Sequence, residues 1–288
     1  MTGQSFCLRR WPLAHPTAEQ LDWINLVLVH ARNNGCPVVA APLETINGTR
    51  YIHYQEFYWE LAPWMPGKST FAEDPNDTRL ENAITTLAKF HLASAQVNLG
   101  FGKSKNANAR LASLRGAPDL IEQISQSKPA IENESVSRLR RVVLAVGATR
   151  AAELGRLIAP FTEDIFPNQP VIRDVWHDHV LFTGDKVTGL VDFGAMQLDN
   201  VALDVARLLG SLVGDQQERW QYAIEAYSKI RNLSDKEIQF SIVMDRVATL
   251  LGSLNWLKWI LVERREFESM ADVERKINFL LARWSDEI

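Results

Sequence analysis

The chain has 288 residues, of which 46% are hydrophobic and 23% charged, a composition typical of a globular protein with a sizeable core. The formal net charge is −4 and Lys and Arg form no continuous stripe, so neither nucleic acid nor an anionic membrane is expected as the main partner. The two cysteines, Cys7 and Cys36, have the spacing of neither a zinc site nor a disulfide framework. The chain begins without an apolar signal segment, and its most apolar run, 247–262, is too short to span a membrane. We therefore expect a cytoplasmic protein.

The first residues predict a strand followed by a helix. Apolar and basic residues at 6–10 favour a short strand that ends before Pro12. Thr17 can be the N-cap of the next helix, with Gln20 as the third helical residue of a capping box. Apolar side chains then recur at helical spacing until Gly35, which predicts one amphipathic helix.

The next segment predicts β-structure. The run 37–54 contains two β-rich stretches around Asn47-Gly48, the strongest two-residue hairpin signal, so we expect a hairpin there. A further strand, "EFYWEL", follows, and the prolines and glycine of "APWMPG" then interrupt regular structure. Residues 1–67 are thus predicted to form a small β-rich lobe that ends in a hinge.

The rest of the chain predicts mainly helix. An amphipathic helix is expected from Asp77, a polar loop at 98–108, helix at 109–158 and further helix from Val201. Between these helices, "HVLF" and "VTGLVDF" predict a hairpin around the turn sequence "TGDK". We expect an α+β fold with the small lobe at 1–67 and a large helical lobe at 68–288.

Two aspartates flank the predicted hairpin of the helical lobe. Asp174 precedes its first strand and Asp192 ends its second, and the hairpin returns these two carboxylates to the same end. Two converging carboxylates with one more polar ligand, from His177, Asp178 or His179, can hold a divalent cation and orient a nucleophile. Taken singly, each aspartate is more simply explained as a turn or strand-end residue.

These motifs resemble the aminoglycoside phosphotransferase/choline kinase group, which includes homoserine kinase-like enzymes. That family carries H-G-D-x-H-x-x-N, a hairpin, I-D-F/W and a helix with D-x-A, and the stretch "VIRDVWHDHVLFTGDKVTGLVDFGAMQLDNVALDVA" is similar to it. "WELAPWMPGK" is similar to the family's hinge and "LAKFHLAS" to its "LA-x-LH" helix. The resemblance implies a protein-kinase-like fold of two lobes and an ATP-dependent phosphotransferase that acts on a hydroxyl of a small molecule.

The resemblance also implies roles for individual residues. Asp174 would be the catalytic base and Asp192 a catalytic metal ligand, with His179 as a second ligand. Arg9 would contact the phosphates of ATP. Nucleotide contacts from the hinge would come from Leu61, Ala62 and Trp64. The implied cofactors are ATP and Mg²⁺, or Mn²⁺ because imidazole is a softer ligand than an amide oxygen.

Several positions depart from the family pattern. Ile172 replaces the histidine of the catalytic loop, His179 the asparagine ligand, and Arg9 the phosphate-binding lysine. Ile24 lies near the place of the helix glutamate that would pair with that lysine. The family's phosphate-covering hairpin would precede the strand of Arg9, where the given sequence begins.

Two other interpretations stay open. The departures favour a degenerate kinase that binds a nucleotide or a partner without turnover. Alternatively, His177 and His179 lie two residues apart, as two ligands on one strand face would, and could form a hydrolase metal site with Asp174 or Asp192. The sequence does not identify the substrate, for which a neutral or zwitterionic alcohol fits better than a polycation. It is silent on oligomeric state.

Overall fold

The computed structural model describes residues 3–127 and 133–284, and these residues form eight strands and nine α-helices. The strands are β1 (Phe6–Arg10), β2 (Ile52–Tyr54), β3 (Phe57–Pro63), β4 (Gly100–Gly102), β5 (Phe166–Val171), β6 (Val180–Thr183), β7 (Lys186–Leu190) and β8 (Gln197–Asp199). The helices are α1 (Ala18–Asn33), α2 (Asp77–Ser94), α3 (Lys105–Arg115), α4 (Ala117–Gln126), α5 (Glu134–Glu163), α6 (Ala202–Val213), α7 (Gln217–Ser228), α8 (Asp235–Leu257) and α9 (Met270–Ala282). The predicted α+β composition is confirmed, while the part of the predicted helical stretch at 128–132 lies outside the described residues.

Contacts divide the chain into two compact units. One unit comprises Met1–Phe101 and Pro167–Ile238, and the other comprises Gly102–Phe166 and Gln239–Ile288. Neither boundary falls at residue 67, so the predicted division into lobes 1–67 and 68–288 stays a prediction.

The first unit contains the sheet β1-β3-β2, in which both neighbouring pairs are antiparallel. The predicted strand at 6–10 is confirmed as β1, and its Arg9 pairs in register with Glu60 of β3. The predicted capping box of α1 is also confirmed. Thr17 Oγ1 accepts from the Gln20 N–H, and the Gln20 side chain accepts from the Thr17 N–H. The pattern of polar and apolar residues alone therefore places this helix correctly.

The hairpin predicted at Asn47-Gly48 is wrong. A tight turn does form there, closed by the Thr45 N–H on the Thr49 carbonyl at 2.7 Å, but no paired strands flank it. Instead, Val39 forms a parallel bridge with Leu190 of β7. Pro42 explains part of the missing strand pairing, because it has no N–H to donate to a neighbouring strand.

The hairpin of this sheet turns at Gln55 and Glu56, between β2 and β3. Both residues have positive φ, 48° and 67°, which is the backbone requirement of a type I′ turn. The predicted strand "EFYWEL" is confirmed as β3. Neither Gln nor Glu is a usual residue for this turn, which is why the sequence directs attention to Asn47-Gly48 instead.

The predicted hairpin at 180–193 is confirmed as β6 and β7, joined by the two-residue turn Gly184-Asp185. The same unit contains the strand order β4-β5-β8 and the helices α2, α6 and α7. The loop predicted at 98–108 is largely wrong, since β4 and the beginning of α3 lie within it. Ser104 explains the helix start, because its Oγ accepts from the Ala107 N–H at 3.1 Å and caps the first turn.

The second unit is helical apart from the ends of two strands. Its core contains a stack of Phe161, Phe166 and Phe240, with ring centroids 5.0–6.4 Å apart. Arg283 and Asp245 form a nearly buried ion pair at 2.5 Å beside this helical core. Among the helices that the structure describes, none combines the length and the apolar composition needed to span a membrane.

Candidate active site

A cleft of about 630 Å³ lies in the first unit. It is lined by residues of β1, α1 and β3, by the hinge and by residues of the β6–β7 hairpin. Of the predicted site residues, Arg9, Ala62, Trp64 and Asp192 line this cleft. Apolar side chains form most of the wall, so the few polar groups there are positioned to determine what binds.

Asp192 follows β7 and is ion-paired with Arg9. Arg9 Nη2 donates to Asp192 Oδ1 at 2.9 Å, and the guanidinium lies 3.6 Å from the centroid of the Trp11 ring. Asp192 has φ of 63°, a conformation that Asp tolerates better than most residues. A Cβ at Gly194 would lie 2.7 Å from the Trp11 ring, so glycine permits the close approach that holds Trp11 under Arg9.

Asp174 lies on the loop after β5, in a backbone held by Asp204. The preceding residue, Arg173, has φ of 67°, which costs free energy in a residue with a side chain. The two carboxylate oxygens of Asp204 accept from the Ile172 and Arg173 N–H groups, each at 2.6 Å. These bonds fix the loop on α6. The Asp174 carboxylate itself accepts from Arg207 Nη2 at 3.1 Å.

His179 connects the two aspartates. Its Nδ1 lies 2.6 Å from the Asp174 carbonyl oxygen, and its Nε2 accepts from Trp176 Nε1 at 3.0 Å. Because the indole N–H can only donate, Nδ1 carries the proton and donates to the carbonyl. Nε2 also lies 3.7 Å from Asp192 Oδ2. One series of contacts thus runs from Arg207 through the side chain and backbone carbonyl of Asp174 to His179, Asp192 and Arg9.

The arrangement predicted for the alternative hydrolase site is wrong. His177–His179 form a 3₁₀ turn instead of a strand, so their side chains do not share a strand face. His177 Nε2 faces Asp178 Oδ1 at 3.3 Å, whereas His179 faces Trp176 and Asp192. Within residues 3–127 and 133–284, no three His, Cys, Asp or Glu side chains form a group that could hold a metal ion.

The hinge contributes backbone as well as side chains. Alternation along β3 turns the side chains of Glu60 and Ala62 towards the cleft and that of Leu61 away from it, so Leu61 is exposed. The Leu61 carbonyl accepts from the Leu43 N–H. The geometry therefore gives no support to the predicted nucleotide contact of Leu61. The Trp64 N–H donates to the Ser5 carbonyl at 2.9 Å. Met65, which the sequence did not single out, lines the cleft directly after it.

Two buried polar residues of the cleft were missed by sequence reasoning. Asn25 of α1 is 3% exposed and Glu60 of β3 is 9% exposed. Burial raises the pKa of the Glu60 carboxyl, while the Trp11 indole and the charge of Arg9 act in the opposite direction. A signal for Asn25 was present, since it lies four residues after Leu21 and three before Leu28, on the apolar face of the helix.

Behind the Asp174 loop lies a fully buried polar cluster. His91 of α2 bonds Asp204 Oδ2 through Nε2 at 3.0 Å and the Tyr227 hydroxyl through Nδ1 at 2.7 Å. Burial lowers the pKa of His91, and Asp204 opposes this shift without reversing it. Burial likewise raises the pKa of Tyr227. Asp204 is fully buried, and its other donors are the Ile172 and Arg173 N–H groups, where the loop turns.

The donors of the site fit a nucleotide with a divalent cation. Mg²⁺ is commonly held by one or two carboxylates and by phosphate oxygens, and Asp192 provides such a carboxylate, with the His179 imidazole 3.7 Å from it as a softer second donor. Arg9, ion-paired with Asp192, is a cation of the kind that pairs with phosphates. At the same time, Trp176 donates to Nε2 of His179, the atom that a metal would use, so metal binding there requires Trp176 to change its partner, whereas Arg9 occupies Oδ1 of Asp192 and leaves Oδ2 facing His179.

Comparisons with known proteins agree on the family. The model of the phosphotransferase enzyme family matches residues 1–236. Homoserine kinases from Methylocella silvestris and Bradyrhizobium diazoefficiens are each 27% identical, over 180 and 168 residues that cover 61% and 57% of this chain. The matched regions are 52% and 46% of those two proteins, so the chain spans about half the length of these relatives.

Solved structures share the fold. An aminoglycoside phosphotransferase from Alicyclobacillus acidocaldarius has a TM-score of 0.69 at 17% identity, covering 99% of this chain and 86% of that chain. A spectinomycin phosphotransferase in complex with ADP and spectinomycin has a TM-score of 0.66 at 12% identity, covering 100% and 88%. The predicted protein-kinase-like α+β fold is thereby confirmed. With its family model matched over most of its length, the chain belongs to the phosphotransferase enzyme family.

Proposed function

We propose that the protein is an ATP-dependent phosphotransferase that transfers the γ-phosphate to a hydroxyl of a small molecule. The observation that carries this proposal is the series Asp174, His179, Asp192 and Arg9, which links the catalytic loop to the cleft. The His179 imidazole contacts the backbone carbonyl of the candidate base, Asp174, through Nδ1 and faces the candidate metal ligand, Asp192, through Nε2. The family membership and the homoserine kinase relatives support the same reaction class.

In this mechanism Asp174 orients the acceptor and takes its proton. Arg207 binds Oδ1 of Asp174, which leaves Oδ2 to accept a hydrogen bond from the acceptor hydroxyl. The hydroxyl oxygen then forms a bond to the γ-phosphorus, the bond from that phosphorus to the β–γ bridging oxygen breaks, and the proton passes to Asp174. Asp204 holds the strained loop in place during this step through the Ile172 and Arg173 N–H groups.

The phosphates would be received by Arg9 and Asp192. When bound, Mg²⁺ or Mn²⁺ would neutralise the charge between the β- and γ-phosphates, and Asp192 with His179 would hold it. Arg9 is part of an exposed ion pair of modest strength, so it can exchange the Asp192 carboxylate for a phosphate oxygen. At the hinge, Ala62, Trp64 and Met65 would contact the base.

The acceptor proposed is a small neutral or zwitterionic alcohol. The acidic groups that line the cleft are Glu60, Glu73 and Asp192, and Arg9 and Lys68 offset them. Arg207 adds a cation beside Asp174. The basic groups thus offset most of the acidic ones, and the cleft lacks the dense acidic lining that a polycationic acceptor would require, whereas an amino acid with a hydroxyl, as in the homoserine kinase relatives, needs no such lining. The cytoplasm stays the proposed location.

The test is binding and turnover in the same preparation. Calorimetry with ATP and Mg²⁺ or Mn²⁺ measures binding, and ADP release against a panel of amino alcohols, hydroxy amino acids and aminoglycosides measures transfer. Asp174→Asn should abolish transfer and retain ATP binding, whereas Asp192→Asn should weaken both. Asp178→Asn is the matched control, since this carboxylate lies in the same loop but faces His177. Turnover in Asp174→Asn equal to that of the unaltered protein would contradict the proposed base.

A second candidate function is nucleotide binding without transfer. It is favoured by the two arginines, since Arg207 and Arg9 each engage one of the two carboxylates that the reaction uses. In that case ATP binds, no acceptor in the panel is phosphorylated, and Asp174→Asn changes nothing. A zinc-dependent hydrolase would instead bind no ATP and lose its activity in His177→Ala.

A further inference from the structure

The side-chain amide of Asn25 is buried and has no hydrogen-bond partner among the described residues. It lies on α1, is 3% exposed and lines the cleft. Within the part of the chain that the structure describes, neither its Oδ1 nor its Nδ2 has a hydrogen-bond partner. Buried side-chain donors and acceptors are usually paired, so this residue calls for a specific explanation.

The position of Asn25 on the helix is one that packing alone would fill with an apolar side chain. Leu21, four residues earlier, and Leu28, three residues later, are both buried on the same face. An unpaired amide there destabilises the folded protein, because it has lost its hydrogen bonds to water without replacing them. A group that enters the cleft can supply the missing bonds.

We propose that Asn25 binds the ribose-phosphate part of the nucleotide, with Nδ2 as the donor. This inference rests on the proposed nucleotide binding and adds a residue that the family pattern does not provide, since Ile24 and Asn25 occupy the region where a glutamate is expected. Ribose and phosphate contain all the oxygen acceptors of ATP, and the cleft provides Arg9 as another donor to them. Oδ1 remains able to accept from a ribose hydroxyl.

Substitution with leucine separates this role from packing. Asn25→Leu removes an unpaired donor and acceptor and keeps a similar volume, so the midpoint of thermal unfolding should rise. The same variant should bind ATP roughly 10- to 100-fold more weakly, because a phosphate oxygen loses its partner. A residue that only packs would not give opposite changes in stability and affinity. Leu21→Met, on the same buried face of α1 but outside the lining of the cleft, should leave ATP affinity unchanged.

A second variant tests the inference in case Asn25→Leu folds poorly. Asn25→Asp is nearly isosteric and replaces the donor with a charged acceptor, so its loss of affinity should grow from adenosine through AMP and ADP to ATP. Calorimetry with adenine and with these four ligands is the measurement. ATP affinity in either folded variant equal to that of the unaltered protein would overturn the inference while leaving the proposed function intact. A loss of equal size for adenine alone would also overturn it, and no ATP binding by the unaltered protein would overturn both.

Discussion

His91 and Asp204 are 113 positions apart in the chain and share a hydrogen bond of 3.0 Å in which neither side chain is exposed to solvent. His91 belongs to α2, and Asp204 belongs to α6, whose first turn faces the loop of Asp174. The carboxylate accepts from His91 and from the Ile172 and Arg173 N–H groups, so one side chain joins two helices to the loop of Asp174. Four predictions follow the consequences of this and neighbouring contacts.

Asp204→Ala should lower stability and turnover together. The substitution leaves the Ile172 and Arg173 N–H groups without an acceptor, and Arg173 must then hold its positive φ without that support. We expect a loss of about 2–5 kcal/mol in the free energy of unfolding, measured by urea titration. Asp119→Ala, at an exposed aspartate of α4, is the control and should cost less than about 1 kcal/mol. Unchanged unfolding of Asp204→Ala would contradict the anchoring role.

Stability should fall as the pH is lowered below about 6.5, with His91 contributing to the fall. Burial lowers the pKa of His91 in the folded state, so the unfolded chain binds a proton that the folded protein does not. The contribution is fully present above the unfolded pKa and is lost as the pH falls towards the folded one, by up to about 1.4 kcal/mol per pH unit. Urea titrations between pH 8 and pH 5 measure it. His91→Gln should remove this part of the slope, and an identical slope in that variant would exclude His91 as its source.

Glu60→Gln should stabilise the protein at neutral pH. Burial raises the pKa of Glu60 in the folded state, so the stability associated with this residue is greatest below the unfolded pKa and decreases as the pH rises through the folded value. Glutamine retains the shape and cannot ionise, so its advantage should shrink as the pH approaches 4.5. Thermal unfolding at several pH values is the measurement. Glu73→Gln, at an exposed glutamate that lines the same cleft, is the control variant.

Trp176→Phe should strengthen Mn²⁺ binding if His179 is a metal ligand. The variant removes the indole N–H that His179 Nε2 accepts, and so leaves Nε2 open towards Asp192 at 3.7 Å. Loss of one competing neutral hydrogen bond corresponds to roughly a fivefold gain in affinity, measurable by calorimetric titration of Mn²⁺ in the presence of ADP. Combining the change with His179→Asn should cancel the gain. Equal Mn²⁺ affinity in the single variant and the unaltered protein would argue against His179 as a ligand.

Local sequence patterns correctly predicted the elements whose hydrogen bonds join residues close together in the sequence. The capping box of Thr17 and Gln20 depends on residues three apart, and the turn at Gly184-Asp185 joins two short apolar strands. Such contacts can be predicted from the identities of neighbouring residues. The turn at Gln55 and Glu56 could not be predicted in this way, because β3 pairs on both sides with β1 and β2 and imposes a conformation that these residues do not prefer.

The candidate site was predictable in its residue types and less so in their partners. Asp174 and Asp192 stood out through spacing and resemblance. The bonds from Arg207 to Asp174 and from Trp176 to His179 depend on side-chain directions that only the folded loop defines. Asn25 and Glu60 were overlooked because a polar residue in an apolar segment usually faces solvent, whereas these two face the cleft.

The hinge and the β6–β7 hairpin are joined by their backbones. Lys68 and Phe182 exchange two main-chain hydrogen bonds, and Thr188 Oγ1 donates to the Pro66 carbonyl. A Cβ at Gly67 would lie 2.6 Å from the Phe182 carbonyl oxygen, which leaves no space for any other residue there. The segment that would contact the base and the hairpin that leads to Asp192 therefore move as one piece. We expect the base and the metal to bind with non-additive free energies, so that each tightens the other without any signal passing through the helices.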